Sequence, residues 1–133
     1  METTIQIQAT AEPTEAGTID QILLDLLRYE EVLGAVAISR EGLVLGNVGV
    51  DGEDADLVGA LGASLAGAAD RIARRLGAGT ADDITINTEN GTVHLRTGGE
   101  FAVVLFSERC DTFRAGELVR GAVQQIDGVL TGF

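Results

Sequence analysis

Four carboxylates crowd one short stretch, Asp51, Glu53, Asp54 and Asp56, and carboxylate oxygens are the ligands a hard divalent cation selects. A calcium loop starting at Asp51 requires glycine at position 56 and glutamate at position 62; the chain has Asp56 and Gly62, so the pattern fails. The role expected for these acids is N-capping of a helix and opposition to the positive end of its dipole. His94 is the only histidine and Cys110 the only cysteine, so neither a conventional zinc set nor an intramolecular disulfide can be assembled. His94 is expected to be a polar strand residue. Ser39, Ser64 and Ser107 lack the setting of a nucleophile elbow, and Cys110 lacks an adjacent basic motif that would activate its thiol. Gly77-Ala78-Gly79-Thr80 follows a helical segment where a dinucleotide loop would follow a strand, so it reads as a helix stop. All nine basic residues are arginine, which removes Schiff-base lysines, P-loop lysines and amine general bases. Arg71, Arg74 and Arg75 form the densest cationic group. They suit the negative end of a helix dipole, and Asp70 is spaced to pair with Arg74. Contact with an acidic patch on a partner is the other use open to them, and an arginine finger on transferred phosphate a third. No catalytic residue, metal or cofactor is expected, and the chain is read as no enzyme.

The formal net charge is −12, with 21 acidic residues against nine arginines. That balance excludes nucleic acid and anionic membrane as partners, because both need neutralisation by basic residues, and leaves protein surfaces. The N-terminus is acidic and polar where a secretory signal is basic and then apolar, and no run approaches the ~18 apolar residues of a membrane span. A cytoplasmic location without membrane insertion is therefore expected. A chain of 133 residues fits one domain. Residues 1–17, with Pro13 and Gly17, read as a flexible leader, and residues 18–133 as the domain; the alternation over residues 4–8 could add an edge strand.

The elements that must position these groups follow from periodicity. Thr18 and Gln21 form a capping box ahead of Ile19, Ile22, Leu23, Leu26 and Leu27, which predicts a first helix. Two strand-like runs, 33–39 and 43–48, flank the turn Arg40-Glu41-Gly42. A long helical pattern then runs from the acidic stretch to Leu76. Strands at 84–88, 92–97 and 101–107 are joined by Asn90-Gly91, a type I′ sequence, and by Gly98-Gly99. A last helix, capped by Asp111 or Thr112, carries Ala115, Leu118, Val119, Ala122, Val123, Ile126, Val129 and Leu130. Segments 35–38 and 101–106 are apolar on both faces and so belong mid-sheet. The order αββαβββα then gives an α+β fold: a five-stranded antiparallel sheet, order 2-1-5-4-3, with helices on both faces. The third strand is left as an open edge.

These residues resemble the roadblock/LC7 family, dynein light chain 7-like, including its bacterial polarity and gliding-motility members. The resemblance rests on residues 32–45, on a small-residue-rich central helix, on residues 91–95 and on the apolar fifth strand, covering about residues 18–131. It implies a non-catalytic homodimer, paired through the third strand and second helix, that binds a Ras-like small GTPase and acts in signalling as a GTPase-activating-protein-like regulator or adaptor. A scaffold subunit of a sensor-kinase complex and a small-molecule-sensing domain are the alternatives.

Within the second helix, Leu57, Leu61, Leu65, Ala68, Ile72 and Leu76 make one stripe, expected to face the sheet. Beside it lie Val58, Gly62, Ala66, Ala69 and Ala73, flattened further by Gly59, Ala63 and Gly67. Three helical glycines cost about 3 kcal/mol relative to alanine, which close approach of a symmetry-related helix would offset. The expected dimer and partner interface is therefore Val58, Gly59, Gly62, Ala63, Ala66, Ala69, Ala73 and Arg74, with Ile84 and Ile86 on the open edge.

Overall fold

The computed structural model describes residues 15–109 and 112–131. Expectations for residues 1–14, Cys110, Asp111 and Phe133 lie outside the described residues. Helix α1 spans Glu15–Leu26. It begins ahead of the expected cap, so Thr18 lies inside the helix and the capping box is not its start. Ile19, Ile22, Leu23 and Leu26 recur at helical spacing and are all buried, while Leu24 points outward.

Five strands follow that spacing of turns: β1 (Val32–Ser39), β2 (Val44–Val48), β3 (Asp83–Asn87), β4 (Thr92–Thr97) and β5 (Phe101–Ser107). They form one antiparallel sheet of order β2-β1-β5-β4-β3, as the sequence predicts. The central pair is registered Val36 to Val104, Ala37 to Val103 and Ile38 to Ala102. Because side chains alternate across a strand, Ala35, Ala37, Val103 and Leu105 enter one core and Val36, Ile38, Ala102 and Val104 the other. At the β1–β2 turn Gly42 adopts φ +93°, and at the β4–β5 turn Gly99 adopts φ +92°, conformations closed to most other residues. The β3–β4 turn differs from expectation. Its two central residues are Glu89 and Asn90, since the Thr88 N–H donates to the Gly91 carbonyl at 2.9 Å. Gly91 has no positive φ; a Cβ there would stand 2.6 Å from the Ser107 carbonyl oxygen, so glycine is required by proximity to β5.

Helix α2 (Gly52–Arg75) covers one face of the sheet, and α1 with α3 (Thr112–Leu130) covers the other. Helix α3 buries Ala115, Val119, Ala122, Val123 and Ile126 against β4 and β5. Asp51 is the N-cap residue of α2, but its side chain makes no capping hydrogen bond; Glu53 and Asp54 supply negative charge to the first turn. Helix α2 is rotated relative to expectation. Its buried residues are Ala55, Gly59, Gly62 and Asp70, while Leu57, Leu61, Ile72 and Leu76 are 58–78% exposed. The reason is volume. Close approach of α2 to the β1–β2 turn and to Ile38 leaves room there only for the helix's narrow side. A Cβ at Gly59 would lie 2.6 Å from the Gly42 carbonyl oxygen, and one at Gly62 would lie 3.1 Å from Ile38 Cδ1.

Candidate interaction surface

An amphipathic helix normally hides its large apolar side chains, and α2 does the reverse. Leu57, Leu61, Leu65, Ile72 and Leu76 line its outer side without cover from any described residue. Beside Leu57 and Leu61 runs an apolar groove of about 350 Å³ between α2 and the sheet, floored by Val36, Val93 and Val104 and closed at one end by Phe106. Asp54 is its one charged lining residue. On β3, Ile84 opposes Leu95 and Ile86 opposes Val93, which places both isoleucines on the α2 side of the sheet. Ile86 is exposed, and among the described residues β3 has a neighbour only on its β4 side. Helix flank, groove and strand margin are thus one apolar surface ending in backbone groups with no strand partner among the described residues. Contiguous surfaces of this kind mark association sites, and an open edge accepts a further strand.

Among the residues expected at an interface, Val58 and Ile84 pack at the rim of the second core and Ile86 stands free on the edge. Ala63, Ala66, Ala69 and Ala73 are half-buried. Gly59 and Gly62 are not available to a partner: both are buried against the chain's own sheet, which corrects their assignment. The glycines are offset by close helix–sheet approach within the chain. The leucine stripe, Val93 and Phe106 take their place at the surface. The missed signal was the run Ala55, Gly59, Gly62, Ala66, Asp70, spaced at three and four residues, opposite two strands rich in valine and isoleucine.

The far end of α2 is held by charge. Asp70 is 7% exposed; its Oδ1 accepts from the Ala81 N–H at 2.8 Å, and its Oδ2 lies 3.7 Å from Arg40 and 3.8 Å from Arg74. The i,i+4 pair read from spacing is therefore present, and it is joined by an arginine from the β1–β2 turn. Arg40 also donates from Nε to the Gly99 carbonyl, so one guanidinium bridges two turns.

The groups weighed for chemistry are placed as follows. His94 is 1% exposed, with Nδ1 3.3 Å from Thr85 Oγ1 and no hydrogen-bond partner at Nε2 among the described residues. Burial pushes its pKa below the usual histidine value, and the Asp83 carboxylate partly opposes that shift. Ser39 Oγ accepts from the Leu43 N–H, a turn contact rather than a nucleophile's setting. Among the described residues no group of three or more His, Cys, Asp or Glu could hold a metal ion, and no helix is long and apolar enough to cross a membrane.

Comparison with known proteins fits this geometry. Residues 18–106 match the model of the Roadblock/LC7 domain. An uncharacterised protein of Methanocaldococcus jannaschii is 33% identical over 90 residues, spanning 68% of this chain and 79% of its own. A Roadblock/LC7 domain from Streptomyces avermitilis superposes with a TM-score of 0.79 at 22% identity, covering 84% of this chain and 97% of that one. The gliding protein MglB from Thermus thermophilus superposes with a TM-score of 0.77 at 19% identity, covering 90% and 97%. At those identities the two structures speak for the fold.

Proposed function

The chain belongs to the Roadblock/LC7 family, and from that membership we propose that it is a non-catalytic, cytoplasmic homodimer that docks and regulates a Ras-like small GTPase. The observation that carries the reading is the uncovered leucine flank of α2 beside the open β3 edge. A two-fold axis near that edge pairs β3 with its copy and sets the two flanks against each other, and a self-complementary surface is what such an axis requires. Burying the exposed part of each leucine or isoleucine stabilises by on the order of 1 kcal/mol, and symmetry doubles every such contribution. The paired helices then form a platform neither chain has alone. The likeness to a gliding protein accords with a regulatory setting.

The test has two stages. Sedimentation equilibrium should return twice the 13.8 kDa chain mass, and a monomer at micromolar concentration would overturn the dimer. Affinity capture with candidate small GTPases loaded with GDP or GTP, followed by hydrolysis rates with and without this protein, should show nucleotide-dependent binding. A dimer that binds no GTPase in either state removes the GTPase reading and leaves the scaffold subunit.

A further inference from the structure

We propose that the C-terminal end of α2 is a second docking surface, formed by Arg71, Arg74 and Arg75 with Arg40 at its edge, that takes a short acidic segment of a protein partner. Among the described residues every other arginine has an ion pair or a hydrogen bond: Arg28, Arg40, Arg74, Arg96, Arg114 and Arg120 pair with carboxylates, and Arg109 donates to the Thr88 carbonyl. Arg71 and Arg75 have neither. In a chain with 21 acidic residues, two neighbouring cations with no carboxylate partner among the described residues are the exception.

Helix capping does not account for them. The Gly77 N–H donates to the Arg74 carbonyl at 3.0 Å and the Ala78 N–H to the Ala73 carbonyl at 2.8 Å, with Gly77 at φ +74°. That arrangement satisfies the terminal carbonyls with backbone, so the guanidiniums are left to interact with the dipole and with whatever lies outside. The three side chains enclose an open cleft. Arg71 lies back over Gly67, where its Nη1 would be 3.7 Å from a Cβ, an ordinary contact distance. Asp70 offsets part of the charge of Arg40 and Arg74, and together with Arg71 and Arg75 the group remains net cationic.

The patch also lies apart from the leucine flank. At 3.6 residues per turn, the flank of Leu61, Leu65 and Ile72 and the group of Arg71, Arg74 and Arg75 centre about 105° apart around α2, with Arg75 nearest the leucines. A dimer through the first leaves Arg71 and Arg74 open. The chemistry favours carboxylates, which the guanidinium fork engages bidentately. An extended polyanion or anionic bilayer would overrun so small a patch and meet a chain of net charge −12, and the acidic first turn of α2 lies ~30 Å along the same helix. This deepens the adaptor reading by giving the chemistry of a partner contact, and it is tested separately from dimer mass and GTPase capture.

The experiment is an amide-shift titration of the full chain with a ten-residue Glu/Asp peptide at low salt. Shifts should be confined to residues 67–78 and 39–42, and affinity should fall about tenfold or more in R71Q/R75Q while R28Q/R120Q binds as the parent does. Raising the salt should weaken binding in parallel. Shifts elsewhere, equal losses in the control variant, or loss of dimer mass in R71Q/R75Q would overturn the proposal. So would inorganic phosphate or phosphatidylserine vesicles binding these arginines more tightly than the peptide does.

Discussion

Gly59 faces the Gly42 carbonyl so closely that a Cβ at position 59 would stand 2.6 Å from that oxygen. The obstacle is backbone on the β1–β2 turn, which cannot rotate aside. Alanine at an ordinary helix position gains about 1 kcal/mol over glycine; here the helix must lift from the sheet, and Gly59→Ala should lose about 1–3 kcal/mol in chemical denaturation.

Gly62→Ala is the informative contrast. Its added methyl would meet Ile38 Cδ1 at 3.1 Å, the far end of a flexible side chain, so the variant should fall within about 1 kcal/mol of the parent. Gly62→Leu, in turn, should disrupt the second core and lower the melting temperature.

Self-association should depend on the leucines. Leu61 is 60% exposed, so Leu61→Glu removes little intrachain packing. It should halve the mass in light scattering while preserving helical circular dichroism. Dimers that persist in this variant at micromolar concentration would rule out the leucine flank as the contact.

Strand order and layer count were legible in the sequence because turn glycines and two-sided apolar runs leave little choice of arrangement. Gly42 and Gly99 occupy the positive-φ positions their turns demand, and segments 35–38 and 101–106 are indeed central. The orientation of α2 was not legible. Its two stripes share one period, and periodicity says nothing about how much space the sheet's own Val36, Ile38 and Val104 leave between the layers. Side-chain volume on the opposing element decides, and that is a tertiary quantity. The Asp70–Arg74 pair could be read from i,i+4 spacing, whereas Arg40 joins it across 30 positions of chain and left no local trace.

His94 gives a pH dependence whose sign is fixed. Its folded pKa lies below the ordinary value of 6.5, so the unfolded chain binds the proton more readily. Stability from the neutral ring is therefore fully present above about pH 6.5 and is lost as pH falls from there through the folded value. Equilibrium unfolding by urea between mildly alkaline and mildly acidic pH should show this slope, and His94→Gln should flatten it. An identical slope in the variant would move the effect to the carboxylates.

Asp70 should be the costliest polar residue to lose, because its two oxygens do separate work. Oδ1 holds the Ala81 N–H and so fixes the chain entering β3, while Oδ2 balances Arg40 and Arg74. Asp70→Asn keeps an oxygen for Ala81 but withdraws the negative charge, leaving Arg40 and Arg74 beside Arg71 and Arg75, which have no counterion among the described residues. Asp70→Ala also strands the Ala81 donor. Losing a hydrogen bond to a partly buried charged group costs about 1–3 kcal/mol, so both variants should be less stable and alanine the worse. Hydrogen exchange separates the two roles. Amides of residues 81–84 should lose protection in Asp70→Ala and largely retain it in Asp70→Asn, and equal loss in both would mean that charge, and not the bond to Ala81, holds the edge strand in place.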